Sequence, residues 1–131
     1  MKSVYRDCID EVNRFKWIES EKVGYDLGEH AIRRWVAEHW NGYLRAAWIE
    51  HLHGKCFWIE LDRGDYGLLQ REFQDQQQLL DDILQKLKAG QENLDVLCWA
   101  INHHIPIEPV RQILNALDIN SKRLVYRFET R

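Results

Sequence analysis

Apolar residues recur every three to four positions along most of this chain, and this helical periodicity is the feature that most limits its fold. In the first segment the repeat consists of Val4, Cys8, Val12 and Phe15. No stretch shows the sustained alternation of apolar and polar residues that a half-buried strand requires. The periodicity therefore predicts an all-α protein, a compact bundle of about six helices in a single domain covering residues 1–131.

The first two predicted helices are long and rich in aromatic residues. The first covers residues 3–23 and ends at Gly24, and the second covers residues 29–53. Gly42 lies in the middle of the second helix, where glycine costs about 1 kcal/mol relative to alanine. The second helix is therefore either continuous through Gly42 or broken there.

Four shorter helices are predicted after a turn rich in glycine and aspartate. Each is marked by an apolar stripe of period 3.6. A proline-containing connection separates the fourth helix of the chain from the fifth. Their predicted ranges are 69–87 for the third helix, 94–104 for the fourth, 110–117 for the fifth, and for the sixth a helix capped by Asn120 or Ser121 that carries Leu124, Val125 and Phe128.

Composition and charge narrow the class of protein. The chain is 45 % hydrophobic and 30 % charged, and it contains no apolar run near the ~18 residues of a membrane span. Its N-terminus lacks the apolar region of a signal peptide, and its three cysteines are widely spaced. We therefore expect a cytoplasmic protein with reduced thiols. A net charge of −3 gives no overall attraction to nucleic acid or anionic lipid.

Five of the six tryptophans and four of the six histidines fall within the first 58 residues, together with several glutamates. Helical projection places Glu19 on the inner face of the first helix and His39 on that of the second. If the second helix is continuous, Glu50 and His53 lie on or beside that face, with the Glu-x-x-His spacing of di-iron carboxylate bundles. A metal or haem site at Glu19, His39, Glu50 and His53 is therefore one alternative.

The competing interpretation of this region is an ordinary helical core. Di-iron bundles carry a Glu-x-x-His pair on each of two helices, and this chain has one such pair. In this interpretation His39 is a hydrogen-bonded core histidine, buried with Trp35, Val36 and Tyr43, and Glu50 is a surface or ion-paired acid. We favour this interpretation and therefore predict no cofactor.

The last two predicted helices form a helix-turn-helix-like pair within residues 108–129. An apolar helix, a turn at Asp118 and a short basic helix follow one another, and this order resembles the helix-turn-helix of many bacterial repressors over about 20 residues. The resemblance implies that Ser121, Lys122, Arg123 and Arg127 contact DNA. After position 100 the chain carries five basic and three acidic residues, a small excess of positive charge. DNA binding is therefore kept as an alternative.

The favoured functional prediction is a small accessory or regulatory protein that acts through protein contacts. The sequence contains no phosphate-binding glycine loop, nucleophile elbow or zinc-protease motif, so we lean against an enzyme. Tryptophan is favoured at interface hot spots. Trp17 and Trp48 project away from the main apolar stripes of their helices, and we expect them to be exposed and to contact another protein or a second copy of the chain.

Overall fold

The computed structural model describes residues 2–119, Ser121 and Leu124. Six α-helices occur in this part of the chain, without a β-strand, and they pack against one another as an all-α bundle. None of these helices has both the length and the apolar composition of a membrane span. Their bounds are Val4–Val23 (α1), Glu29–His53 (α2), Leu68–Glu72 (α3), Gln77–Lys88 (α4), Asn93–Asn102 (α5) and Ile107–Leu117 (α6).

The two long helices agree with the sequence prediction. α1 ends where Gly24 adopts a left-handed conformation at φ +80°, which only glycine adopts readily. α2 is continuous through Gly42, so the alternative of a broken helix is wrong. Gly42 is exposed, and a Cβ atom added there would meet nothing within 4 Å. The packing of the residues on either side therefore holds α2 together, despite the low helix propensity of glycine.

The predicted third helix is two helices in the structure. Phe73 and Gln76 leave helical geometry, with ψ near +37° at both, and a short 3₁₀ turn at Gln74–Gln76 joins α3 to α4. The intervening glutamine-rich segment contributes no buried side chain, so packing does not hold it in a straight helix. Leu69 of α3 and Leu80 of α4 belong to the same hydrophobic cluster.

Two hydrophobic clusters fill the interior, and α2 contributes to both. The N-terminal cluster joins α1 to the first part of α2 through Val4, Cys8, Trp35 and Trp40. Trp35 is buried as predicted, while Val36 and Tyr43 are half-buried. The C-terminal cluster joins the last part of α2 to the helices that follow it. Its buried members include Trp48, Ile49, Leu52, Leu69, Leu80, Ile83, Leu87, Val96, Val110, Ile113 and Leu117.

Trp48 is buried rather than exposed, so the prediction for its side chain is wrong. Its exposed fraction is 3 %. Its indole N–H donates to the carbonyl oxygen of Leu117 at 2.9 Å, and this bond satisfies a backbone acceptor at the end of α6. Helical projection places a single apolar stripe on α2, but near Trp48 the helix contributes to both clusters, Ala47 to the N-terminal one and Trp48 to the C-terminal one.

The chain after α6 is described only at a few positions. Asp118 adopts a left-handed conformation, at φ +45°, and ends α6 at the predicted turn. Leu124 accepts a hydrogen bond at its carbonyl oxygen from the indole N–H of Trp40, at 3.1 Å. Most of the predicted sixth helix, including Val125 and Phe128, lies outside the described residues.

Candidate functional site

The structure divides the predicted polar cluster between distant parts of the molecule. Glu19 pairs with Lys22 at 3.1 Å and with Arg34 at 3.6 Å. The hydrogen bond from Lys22 holds the pKa of the Glu19 carboxyl below its usual value. The side chain of His39 is 50 % exposed, so the prediction that it is buried is wrong. His39 lies at the border of the α1–α2 contact, where its ring meets that of Phe15 at 5.6 Å.

The other two predicted ligands lie at the far end of α2. At a helical rise of 1.5 Å per residue, His53 lies about 21 Å from His39 along the axis of α2. His53 is buried, its Nε2 atom lies 3.6 Å from a carboxylate oxygen of Asp81, and burial lowers the pKa of its imidazole. Glu50 is half-buried. Within the described residues no three His, Cys, Asp or Glu side chains converge as metal ligands would, so these four do not form a common coordination sphere.

The histidine that is fully buried in the core is His51, which helical projection does not select. Its exposed fraction is 0 %. The Nδ1 atom accepts a hydrogen bond from the backbone N–H of Trp58 at 3.2 Å, and Nε2 lies 2.7 Å from the carbonyl oxygen of Asp62. Nε2 must therefore carry the proton of a neutral ring. Phe57 and Tyr66 pack against this imidazole, with ring centroids 5.1 and 5.4 Å away. His51 thus organises the loop after α2.

Glu60, at the end of that loop, caps α1 from a distant position in the sequence. Its carboxylate accepts hydrogen bonds from the hydroxyl of Ser3 at 2.5 Å and from the backbone N–H of Val4 at 2.6 Å. A negative charge at a helix N-terminus satisfies free N–H groups and interacts favourably with the helix dipole. A backbone hydrogen bond of 2.9 Å from Ile59 to Lys2 ties the same segments together. These polar groups have a structural role.

Burial suppresses thiolate formation at two of the three cysteines. Cys8 is fully buried, and burial, followed by the neighbouring Asp7 and Glu11, raises the pKa of its thiol to about 12. Burial also raises the pKa of Cys56 above its usual value. The thiolate is the nucleophilic form, so neither side chain suits nucleophilic catalysis. Cys98 is exposed on α5.

Trp17 is exposed as predicted, and a second aromatic side chain lies beside it. The exposed fractions are 64 % for Trp17 and 66 % for Tyr25. Both line one shallow cleft of about 700 Å³ at the end of α1, here called the Trp17 surface. The other lining residues are Asn13, Lys16, Ser20, Glu21, Gly24 and Asp26.

Local hydrogen bonds position the Trp17 surface. Gly24 turns the chain back along α1, and the hydroxyl of Ser20 accepts a hydrogen bond from the N–H of Leu27 at 3.0 Å. Lys16 and Asp26 approach to 3.9 Å across the cleft. The turn therefore holds Tyr25 next to the last turns of α1, and the two aromatic side chains lie within a rim of polar groups.

The predicted DNA-contacting residues are only partly described. The hydroxyl of Ser121 donates hydrogen bonds to the carbonyl and carboxylate of Asp118, at 3.0 and 2.6 Å. These bonds engage Ser121 in the turn after α6. Lys122, Arg123 and Arg127 lie outside the described residues, so their contact with DNA stays a prediction.

No protein-family model matches this chain, and neither a curated protein nor a solved structure shows significant similarity to it.

Proposed function

We propose that this protein is a small helical accessory or regulatory factor that acts by binding another protein through the Trp17 surface. The observation that carries the proposal is the pair of large aromatic side chains, Trp17 and Tyr25, about two-thirds exposed in one cleft. Tryptophan and tyrosine dominate the binding energy of protein interfaces, because each buries a large area at a small cost in side-chain entropy.

The surroundings of the two rings support the same function. Lys16, Glu21 and Asp26 place charges of both signs at the edge of the cleft. Interfaces commonly combine an aromatic centre with such a polar rim. The left-handed turn at Gly24 and the hydrogen bond to Ser20 fix the cleft before binding, and this lowers the entropy that a partner would otherwise lose in ordering it.

Site-specific photocrosslinking tests this function. A photoreactive phenylalanine analogue replaces Trp17 in one variant and Ile59, which is 51 % exposed in the loop after α2, in a matched control. After irradiation in the native cell, we expect position 17 to yield one discrete adduct with another protein. Adding Tyr25→Ala to the crosslinking variant should remove this adduct, since Tyr25 lies in the same cleft.

Two outcomes would contradict the proposed function. One is the absence of any adduct at position 17, and the other is the same set of adducts at positions 17 and 59. Circular dichroism of each variant establishes that the helices are intact. We expect no change, because the three replaced side chains, Trp17, Tyr25 and Ile59, are all more than half exposed.

A further inference from the structure

Among the described residues, the lining of the Trp17 surface contains no aliphatic side chain. Besides Trp17 and Tyr25, it consists of Gly24 and of polar or charged side chains. A partner helix needs a hydrophobic groove for its apolar face, and an added strand needs the exposed edge of a sheet. The described residues form no β-strand. The cleft therefore favours a third kind of occupant, an extended segment whose side chains lie flat on aromatic rings.

The two aromatic side chains also carry hydrogen-bond donors that the protein does not use. Neither the indole N–H of Trp17 nor the phenol O–H of Tyr25 has a partner among the described residues. A polyproline II helix has no internal hydrogen bonds, so its carbonyl groups are free to accept. Proline-rich segments in this conformation bind grooves lined by aromatic side chains. The rings and their donors thus match such a segment in both respects.

The length of the cleft fits a short segment in this conformation. Its lining runs along α1 from Asn13 to Gly24, a distance of about 16 Å at a helical rise of 1.5 Å per residue. A polyproline II helix rises about 3.1 Å per residue, so about five residues span the cleft. Its period of three residues returns the same face to the cleft about every 9 Å.

The charges of the cleft indicate what flanks the prolines. Asp26 is already engaged, since it lies 3.9 Å from Lys16 and accepts a hydrogen bond from the N–H of Gly28 at 2.9 Å. Glu21 is exposed and makes no ion pair among the described residues. The cleft therefore has one free carboxylate beside the aromatic rings, which complements a basic side chain on the partner.

We infer that the Trp17 surface binds a proline-rich segment of the partner protein, in the polyproline II conformation and with a lysine or arginine next to its prolines. Proline rings pack on Trp17 and Tyr25, whose donors bond to carbonyl groups of the segment, and Glu21 pairs with the basic side chain. The segment is already extended before binding, so it loses little conformational entropy. This inference rests on the function proposed above, and it specifies the chemistry of the partner.

Fluorescence anisotropy with labelled synthetic peptides tests the role of proline. The probe is a run of about seven prolines flanked by arginines, and the control peptide has glycine and serine in place of the prolines, which keeps the charge but makes the chain flexible. We expect the control peptide to bind at least about tenfold more weakly, and Trp17→Ala to weaken binding of the proline peptide by a similar factor. Equal binding of the two peptides, or no binding of the proline peptide to the unaltered protein, would overturn the inference.

A charge reversal tests the role of Glu21. Glu21→Lys should weaken binding of the arginine-flanked peptide by about threefold or more and favour a glutamate-flanked version of it. Glu72→Lys is the matched control, because it makes the same change at another exposed glutamate, on α3, and should alter neither affinity. The same loss in both variants would show an effect of net charge alone and would refute the pairing with Glu21.

The photocrosslinking experiment separates failure of this inference from failure of the proposed function. Mass spectrometry of the adduct at position 17 identifies the segment of the partner that is crosslinked. We expect a segment with prolines and an adjacent lysine or arginine. A crosslinked segment without prolines overturns this inference and leaves the proposed function intact, whereas the absence of any adduct at position 17 overturns both.

Discussion

Replacing His51 with leucine should destabilise the fold by about 3 kcal/mol. Leucine nearly conserves the volume of the side chain but removes both of its hydrogen bonds. The N–H of Trp58 is buried and would lose its acceptor, at a cost of about 1 to 3 kcal/mol. The carbonyl of Asp62 is only partly buried, so water replaces the lost donor there and the added cost is at most about 1 kcal/mol.

The assays are urea unfolding and thermal unfolding, each followed by circular dichroism and tryptophan fluorescence. For a chain of 131 residues, an unfolding entropy of about 2.1 cal/mol/K per residue converts 3 kcal/mol into a melting temperature lower by about 11 °C. His39→Leu is the matched control, because it makes the same change on the same helix at an imidazole that is 50 % exposed. We expect His39→Leu to lie within about 0.5 kcal/mol of the unaltered protein.

A His51→Leu protein as stable as His39→Leu would refute this reasoning. It would show that the loop after α2 keeps its conformation without the bonds from the imidazole, and that Trp58 and Asp62 find other partners at no cost.

Three further predictions follow from the same structure. Glu60→Ala should lower the free energy of unfolding by about 1 to 2 kcal/mol and speed amide hydrogen exchange in the first turn of α1. Glu60→Gln keeps one acceptor and should cost less. Equal effects of the two substitutions would argue against capping by Glu60. Burial raises the pKa of the Cys8 thiol from 9.0 to about 12, so between these pH values the native state retains a proton that the unfolded chain loses. The contribution of this thiol to the free energy of unfolding should be full below pH 9 and fall as the pH rises toward 12. Urea unfolding at about pH 8 and about pH 10.5 should therefore show a smaller loss of stability for Cys8→Ala than for the unaltered protein. Duplex DNA should not bind the protein at physiological salt in a fluorescence anisotropy titration. Leu117→Ala should lower the melting temperature, because Leu117 is fully buried. Salt-sensitive, sequence-selective DNA binding that Arg123→Ala removes would contradict the first expectation.

Helices whose contacts repeat locally were predictable from the sequence. The bounds of α1 and α2 follow from an apolar period and from the glycines that end each helix, and both are properties of neighbouring residues. The split between α3 and α4 was not predictable from periodicity, because Leu69, Leu80 and Leu84 keep one helical phase across the break. Only the absence of apolar side chains in the glutamine-rich segment marked the place.

The choice between His39 and His51 as the core histidine shows why the site was harder to predict. Projection of α2 onto one stripe selects His39, but the buried side of α2 changes along its length as different helices cover it. His51 is buried by the loop after α2, through Phe57, Trp58 and Tyr66. The position of a residue on a single apolar stripe does not show whether a following loop packs over another side of the helix. Trp17 was predictable because only α1 and its own following turn determine its exposure.

The continuity of α2 has a consequence for how this protein loses its structure. Trp35 and Trp40 on its first half belong to the N-terminal cluster, and Trp48 and Leu52 on its second half belong to the C-terminal cluster. Unfolding of one cluster would fray the half of α2 that belongs to it and weaken the backbone hydrogen bonds next to the other half. The free energies of the two clusters are therefore coupled through the continuous backbone hydrogen bonds of α2. Partial unfolding of one cluster is therefore disfavoured, and the bundle should respond to heat or denaturant in one cooperative step.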